Sequence, residues 1–295
     1  MEINVKAYVN TANPKRPVEF RDVEAPRPRS NEALVSVRGF SLNRGELSLM
    51  AVRPDGWRPG QDIAGVIEGS ALDGSGPAPG MRVFGIVEHA GWSEKVAIPT
   101  DRLALLPESL SFEVGAALPM AGLTALRLTR LVGPLIGKQV LVTGASGGVG
   151  HLLAQLAGLA GAKVQGARSA AEADDTLFDA IFESVGGASL DGAIARIAPH
   201  GTIALFGNTS GKRSSLDIFA FMGHEGAAVR TFFSYDPPGR SDTSADLSIL
   251  ADLVAAGSLR VDIGSTADWG EIDGAINGLR DRKFKGKAVL TLPAT

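Results

Sequence analysis

Four glycines carry the clearest chemical signal in the chain. In VLVTGASGGVG (140–150), Gly144, Gly147, Gly148 and Gly150 fall between an apolar run and a helical repeat. The run Gln139–Thr143 reads as a strand buried on both faces, and Val149, Leu152, Leu153, Leu156 and Leu159 recur at helical spacing. Glycines at such a junction permit a tight turn and, lacking Cβ, let the backbone approach an anion closely. The helix that follows adds unpaired N–H groups and the positive end of its dipole. Dinucleotide binding needs this arrangement, with a pyrophosphate resting on Gly144, Ala145, Ser146, Gly147, Gly148 and Val149.

The end of the next strand bears on which dinucleotide. Ala162–Gly166 leads into Ala167-Arg168-Ser169. An acidic residue there would bind the ribose 2′-hydroxyl of NADH, whereas an arginine favours the 2′-phosphate of NADPH. Arg168 forking onto that phosphate, with Ser169 donating beside it, makes NADPH the expected cofactor. The nearest acids, Glu172 and Asp174, follow several residues later. GTIALFGNTSG (201–211) carries another strand, placing Phe206, Gly207 and Asn208 at the carboxyl edge where open α/β sheets bind ligands. Val185, in FDAIFESVGG (178–187), joins the same expected set.

These residues need a scaffold, and the chain divides by pattern. Residues 1–114 read as short strands cut by turns: ALVSVRGF (33–40), DIAGVIEG (62–69), MRVFGIVE (81–88) and WSEKVAIP (92–99) alternate apolar and polar positions. A small, mostly antiparallel barrel is expected there. From residue 115 to about 240, a helix over VGAALPMAGLTALRLTRL precedes alternating strands and helices, the signature of a doubly wound parallel sheet. Gly161 stands where a left-handed helix terminator belongs. In residues 241–295, Leu247, Leu250, Leu253 and Val254 mark a helix closed by Gly257. Trp269, Ile272, Ala275, Ile276 and Leu279 mark another, and KAVLTL (287–292) a closing strand. DPPGRSDTS (236–244) is the best linker candidate.

Composition narrows the function further. Thirty-two acidic residues against 29 basic ones give a net charge of −3, which excludes nucleic-acid binding by bulk charge. Cysteine is absent, removing disulfides, thiolate metal sites and cysteine nucleophiles. No run is long and apolar enough to span a bilayer, and the first twenty residues hold no signal-like apolar core. The expectation is a cytoplasmic protein acting on a small molecule. The four histidines, His89, His151, His200 and His224, are too scattered to form a ligand pair. TGASGGVG also fits the short-chain dehydrogenase pattern. That family needs a Tyr-x-x-x-Lys pair, and neither Tyr8 nor Tyr235 has a lysine four residues on.

The ordered segments PGQDIAGVIEG (59–69), PGMRVFG (79–85), AALPMAGLTAL (116–126), LVTGASGGVG (141–150), GTIALFGNTSG and FKGKAVLTL (284–292) resemble the zinc-free, quinone oxidoreductase-like branch of the medium-chain dehydrogenase/reductase superfamily. The resemblance implies an α/β protein: a GroES-like β-barrel catalytic domain (1–114), a Rossmann domain (115–240), and a C-terminal segment (241–295) returning to the barrel. It implies no metal, since Ser41 and Gln61-Asp62 stand where zinc-bearing relatives have a cysteine and His-Glu. The loop SLNRGEL (41–47) should line the cleft, with Asn43 as the positioning residue of the reaction and a cofactor contact. Thr124 and Arg282 match further cofactor positions. Only 13 residues (165–177) separate GAKV from FDAIFES where relatives fit a helix, a strand and another helix, so the Rossmann domain should be shortened. Its strand AAVRTFFS (227–234) should pair across a two-fold axis in a homodimer. No general acid is visible, Tyr235 being better suited to packing or dimer contact. The implied activity is hydride transfer from NADPH to a quinone-like or activated carbonyl or alkene acceptor. Its alternatives are an enoyl or 2-alkenal reductase, or a nucleotide-binding protein with negligible turnover.

Overall fold

The computed structural model describes residues 4–234 and 242–293, in two compact units: Met1–Leu123 with Pro238–Thr295, and Thr124–Pro237. In the first unit β1 (Asn4–Asn10) and β2 (Val18–Glu24) form an antiparallel pair. There follow β3 (Glu32–Leu42), α1 (Arg44–Val52), β4 (Asp62–Gly69), β5 (Arg82–Ile86), β6 (Lys95–Pro99) and β7 (Leu103–Leu105). The segment 41–47, expected as a loop, is instead the end of β3 and the first turn of α1. Glu46 reaches back at 2.7 Å to accept from the Asn43 N–H, half of a capping box. The single helix expected after residue 114 is two, α2 (Phe112–Ala117) and α3 (Pro119–Leu131). Pro119 cannot continue the α2 ladder but suits the first position of a new helix.

In the second unit β8 (Gln139–Thr143), α4 (Gly150–Leu159), β9 (Lys163–Ala167), β10 (Phe178–Glu183), α5 (Ala188–Ile194), β11 (Ile197–Leu205) and β12 (Ala228–Thr231) build a parallel sheet ordered β12-β11-β10-β8-β9. The expected shortening is present. No described strand lies outside β9, and a single 3-10 turn, Ala170–Glu172, stands between β9 and β10. Ala170 and Ala173 bury themselves against Ile181, Leu190 and Ile194, which fixes this turn without a full helix. Gly192 in α5 makes the approach possible: a Cβ there would lie 2.6 Å from the Ala171 nitrogen.

The tail returns to the first unit as α6 (Thr243–Ala255), β13 (Ile263–Asp268), α7 (Ile272–Arg280) and β14 (Lys287–Thr291). Gly257 is left-handed at φ +70°, as a helix terminator requires. The helix expected from Trp269 opens as a 3-10 turn, Trp269–Glu271. β13 was not expected, and it runs parallel to β14 at the edge of a seven-stranded sheet, ordered β13-β14-β3-β4-β5-β7 with β6 as the seventh strand beside β3. Tyr235 and the linker candidate as far as residue 241 lie outside the described residues; Asp242 caps α6. β3 is the pivot of this sheet. Its Ser41 faces Asp62 of β4 on one side and Val289 of β14 on the other, so the ends of three strands converge there.

Candidate functional site

Parallel strands send their carboxyl ends to one edge, and in the second unit that edge gathers most of the residues singled out by sequence. Gly144–Val149 follow β8, Arg168 and Ser169 follow β9, Val185 follows β10, and Phe206, Gly207 and Asn208 follow β11. The glycines are required by space. Gly144 is left-handed (φ +61°), and a Cβ on Gly150 would lie 2.2 Å from the Gly144 carbonyl oxygen. Thr143 Oγ1 accepts from the Ser184 N–H at 2.8 Å, tying the ends of β8 and β10 together. Glu183, fully buried and missed by sequence, shapes the turn that carries Val185. Its carboxylate accepts from the N–H groups of Val185 (2.7 Å) and Gly186 (2.8 Å) and from Ser189 Oγ (2.8 Å). The only signal in the sequence was an acid closing an apolar strand just before two glycines.

Arg168 is exposed and already engaged. The 3-10 turn folds Glu172 back so that Arg168 Nη2 and Nε donate to its Oε1 at 2.6 and 3.0 Å. Ser169 Oγ accepts from the Ala171 N–H at 3.3 Å, which leaves its hydroxyl proton for a ligand. Thr124 is buried within α3. His151, in the first turn of α4, packs a ring nitrogen 2.9 Å from the Gly147 carbonyl and so braces the glycine loop.

The first unit holds a buried polar cluster at the β3 pivot. Asp62 is fully buried and Lys287 is 3% exposed. The Lys287 ammonium donates to Asp62 Oδ2 at 3.1 Å and to Asn43 Oδ1 at 2.5 Å. Asp62 also accepts from Ser41 Oγ (2.7 Å), Asn43 Nδ2 (2.9 Å) and the Met120 N–H (2.7 Å). The register explains this grouping: residues 41 and 43 of the β3 strand line, 62 of β4 and 287 of β14 share one face. Both ends of the Asn43 amide are therefore spent internally, and one Nδ2 hydrogen remains for a ligand. Beside them Glu46 is wholly buried with Oε1 unpartnered. Burial, and then the charge of Asp62, pushes its carboxyl up to about 8. Arg282 sits in the turn after α7 with φ +58°. It lies close enough to Arg44 that, after lost solvation, its charge lowers the Arg44 pKa.

A family model described as zinc-binding dehydrogenase matches residues 161–290. A quinone oxidoreductase of Pongo abelii is 36% identical over 154 residues, 49% of this chain and 46% of its own length. Over about half of its length the chain is therefore similar to quinone oxidoreductases. A polyketide synthase system protein of Streptomyces orinoci, NorB, is 32% identical over 92% of this chain and 14% of its own length. The chain thus spans no more than about half the length of these curated relatives. A mycobacterial protein solved in complex with NADPH shares the fold, with a TM-score of 0.85 and 22% identity over 98% of this chain and 100% of that one.

The name of the matching family model raises zinc, and the residues present in this chain do not fit it. Ser41 and Gln61 are not ligands of the kind zinc prefers, and Asp62 is already neutralised by an ammonium 3.1 Å away. Among the described residues no group of three His, Cys, Asp or Glu side chains could hold a metal ion. A nicotinamide dinucleotide does fit, because left-handed Gly144 and Cβ-less Gly150 let the loop close tightly at the N-terminus of α4, where an anion is favoured. No described helix is long and apolar enough to cross a membrane.

Proposed function

We propose that the protein is an NADPH-dependent, zinc-independent reductase of quinone-like acceptors, working in the cytoplasm. The observation that carries this reading is the glycine cradle at the carboxyl ends of four parallel strands, with Arg168 closing the second of them. Bound NADPH would supply a hydride. The chain's own part is to hold the pyrophosphate on Gly144–Val149, flank the nucleotide with Val185 and Phe206–Asn208, and offer Arg168 and Ser169 to the 2′-phosphate. Asn43, held rigid by Lys287 and Asp62, has one amide hydrogen with which to orient nicotinamide or acceptor. The protonated groups beside it, Glu46 and the Lys287 ammonium, are buried and so are not open to a bound acceptor. Quinone reduction tolerates this, because a hydroquinone anion can take its proton from water. An activated alkene is the second acceptor class. NADPH oxidation against a panel of quinones and enones decides between them, and turnover surviving exhaustive chelation is expected. Activity lost together with a stoichiometric metal would overturn the zinc-free reading, and binding without turnover on every acceptor would overturn the enzymatic one.

Arg168 should give a modest preference for NADPH. Its guanidinium is exposed and must be shared with Glu172, so water, salt and the competing carboxylate all reduce the effect. The expected ratio of affinities is below about tenfold at low salt, smaller at high salt, and close to one in Arg168→Ala. Calorimetric titration with NADH and NADPH checks it, and tighter NADH binding by the wild type would refute it.

We further infer a homodimer through β12. It is an edge strand, and around it Ile218 (79% exposed), Phe219 (73%), Met222 (74%) and Phe233 (75%) leave apolar surface in water. A second copy would pair the edge and cover that surface. Sedimentation as a dimer at micromolar concentration is expected; a strict monomer would rule it out.

A further inference from the structure

A cleft of about 410 Å³ opens on the first unit, and none of its lining residues belongs to the sets described above. Four cations line it, Arg29, Arg58, Lys95 and Arg102, against two carboxylates, Glu32 and Glu88. Three of the cations have an acidic partner: Arg29 with Glu32 at 2.6 Å, Lys95 with Glu68 at 2.6 Å, and Arg102 with Glu88 at 3.3 Å. Arg58 has none. Its side chain makes one hydrogen bond, from Nη2 to the neutral Ser93 hydroxyl at 3.1 Å, and its Nε is buried without a partner. Burial alone lowers its pKa, as expected for a cation with no countercharge nearby.

A guanidinium withdrawn from water without an anion is costly, and a purely structural arginine would be paired. Its planar fork suits the oxygens of a carboxylate or phosphate. The cleft volume lies within the range of small-molecule sites. We propose that this cleft binds a small oxyanion, a carboxylate or a phosphate ester. Arg58 is the principal cation, because its three cationic neighbours are already neutralised by carboxylates.

The test is calorimetric titration of the full chain at low salt, with inorganic phosphate in one arm and succinate in the other. The Arg168→Ala background removes the proposed 2′-phosphate contact, and the difference made by Arg58→Met separates this cleft from uptake on the glycine loop. Saturable binding of at least one probe, weakening with salt, is expected. Arg58→Met should weaken it by at least about tenfold while leaving the unfolding midpoint equal or higher, because it removes an unpaired, half-buried charge. Arg58→Lys, which keeps a charge but loses the fork, should fall between. The proposal is overturned if neither probe binds, or if Arg58→Met binds as tightly as its parent. It is also overturned if the substitution lowers the unfolding midpoint and neither probe raises that of the parent, the signature of a structural arginine. None of these readouts depends on the reductase reading.

Discussion

Lys287→Ala should destabilise the first unit by about 3–5 kcal/mol, the usual cost of breaking a buried ion pair from one side. Asp62 would keep its donors from Ser41, Asn43 and the Met120 N–H, but those are neutral and the carboxylate has no exposure to water. Denaturant midpoints measure the loss, and a change below about 1 kcal/mol would show that the pair is dispensable. The double variant Lys287→Met, Asp62→Asn removes both charges and should recover most of the stability. The same cluster sets a pH dependence. Glu46 titrates near 4.5 when unfolded and is raised to about 8 when folded, so the native state holds its proton through that window. Stability from this group is therefore fully present below 4.5, falls as pH rises to about 8, and is level above. Glu46→Gln should flatten that slope. Lys287→Ala should extend it to higher pH, since the ammonium now opposes the upward shift.

Gly150→Val should weaken dinucleotide binding by about a hundredfold, the scale of loss that follows a displacement of about 1 Å. The obstruction is backbone: the new Cβ would meet the Gly144 oxygen at 2.2 Å and the Ala145 Cα at 2.8 Å. Neither atom can rotate away, so the loop must open and its N–H groups lose their common focus. A control lies eight residues along the same helix. Gly158 has nothing within 4 Å of its would-be Cβ. Gly158→Ala should leave binding unchanged and stabilise α4 by about 0.5–1 kcal/mol. Titration of both variants with NADPH, with circular dichroism to verify folding, separates loop geometry from general damage. Unchanged binding in Gly150→Val would mean that the loop is not the anion cradle.

The glycine loop, β8, the missing outer strand and the left-handed stop at Gly257 were legible because each leaves a local trace: a run, a spacing or a gap. The polar cluster was not. Asp62 and Lys287 are 225 residues apart, and each alone reads as an ordinary charge beside a strand. β13 escaped notice because IGSTAD alternates small residues rather than large apolar ones, and its partner is parallel. α1 leaves little trace because RGELSLMAV is weakly amphipathic, with the buried acid Glu46 where a helix usually turns an apolar residue inward. Glu172 was dismissed as distant in sequence, since a 3-10 turn that brings it back to Arg168 has no strong sequence mark.

The interrupted path of the first unit has a consequence for how the protein comes into being. The second unit is one continuous stretch and can complete its parallel sheet as soon as β12 has been made. The first unit cannot: β3 lacks one neighbour until β14 arrives, and Asp62 has no ammonium until Lys287 is translated. During synthesis the second unit is therefore ready while the first still carries an open strand edge and an unpaired buried acid. The nascent chain is most exposed to misassembly in that interval. Closing so long a loop adds little entropy beyond that of a loop half as long. The delay is set by the ribosome's pace rather than by the search for the partner strand.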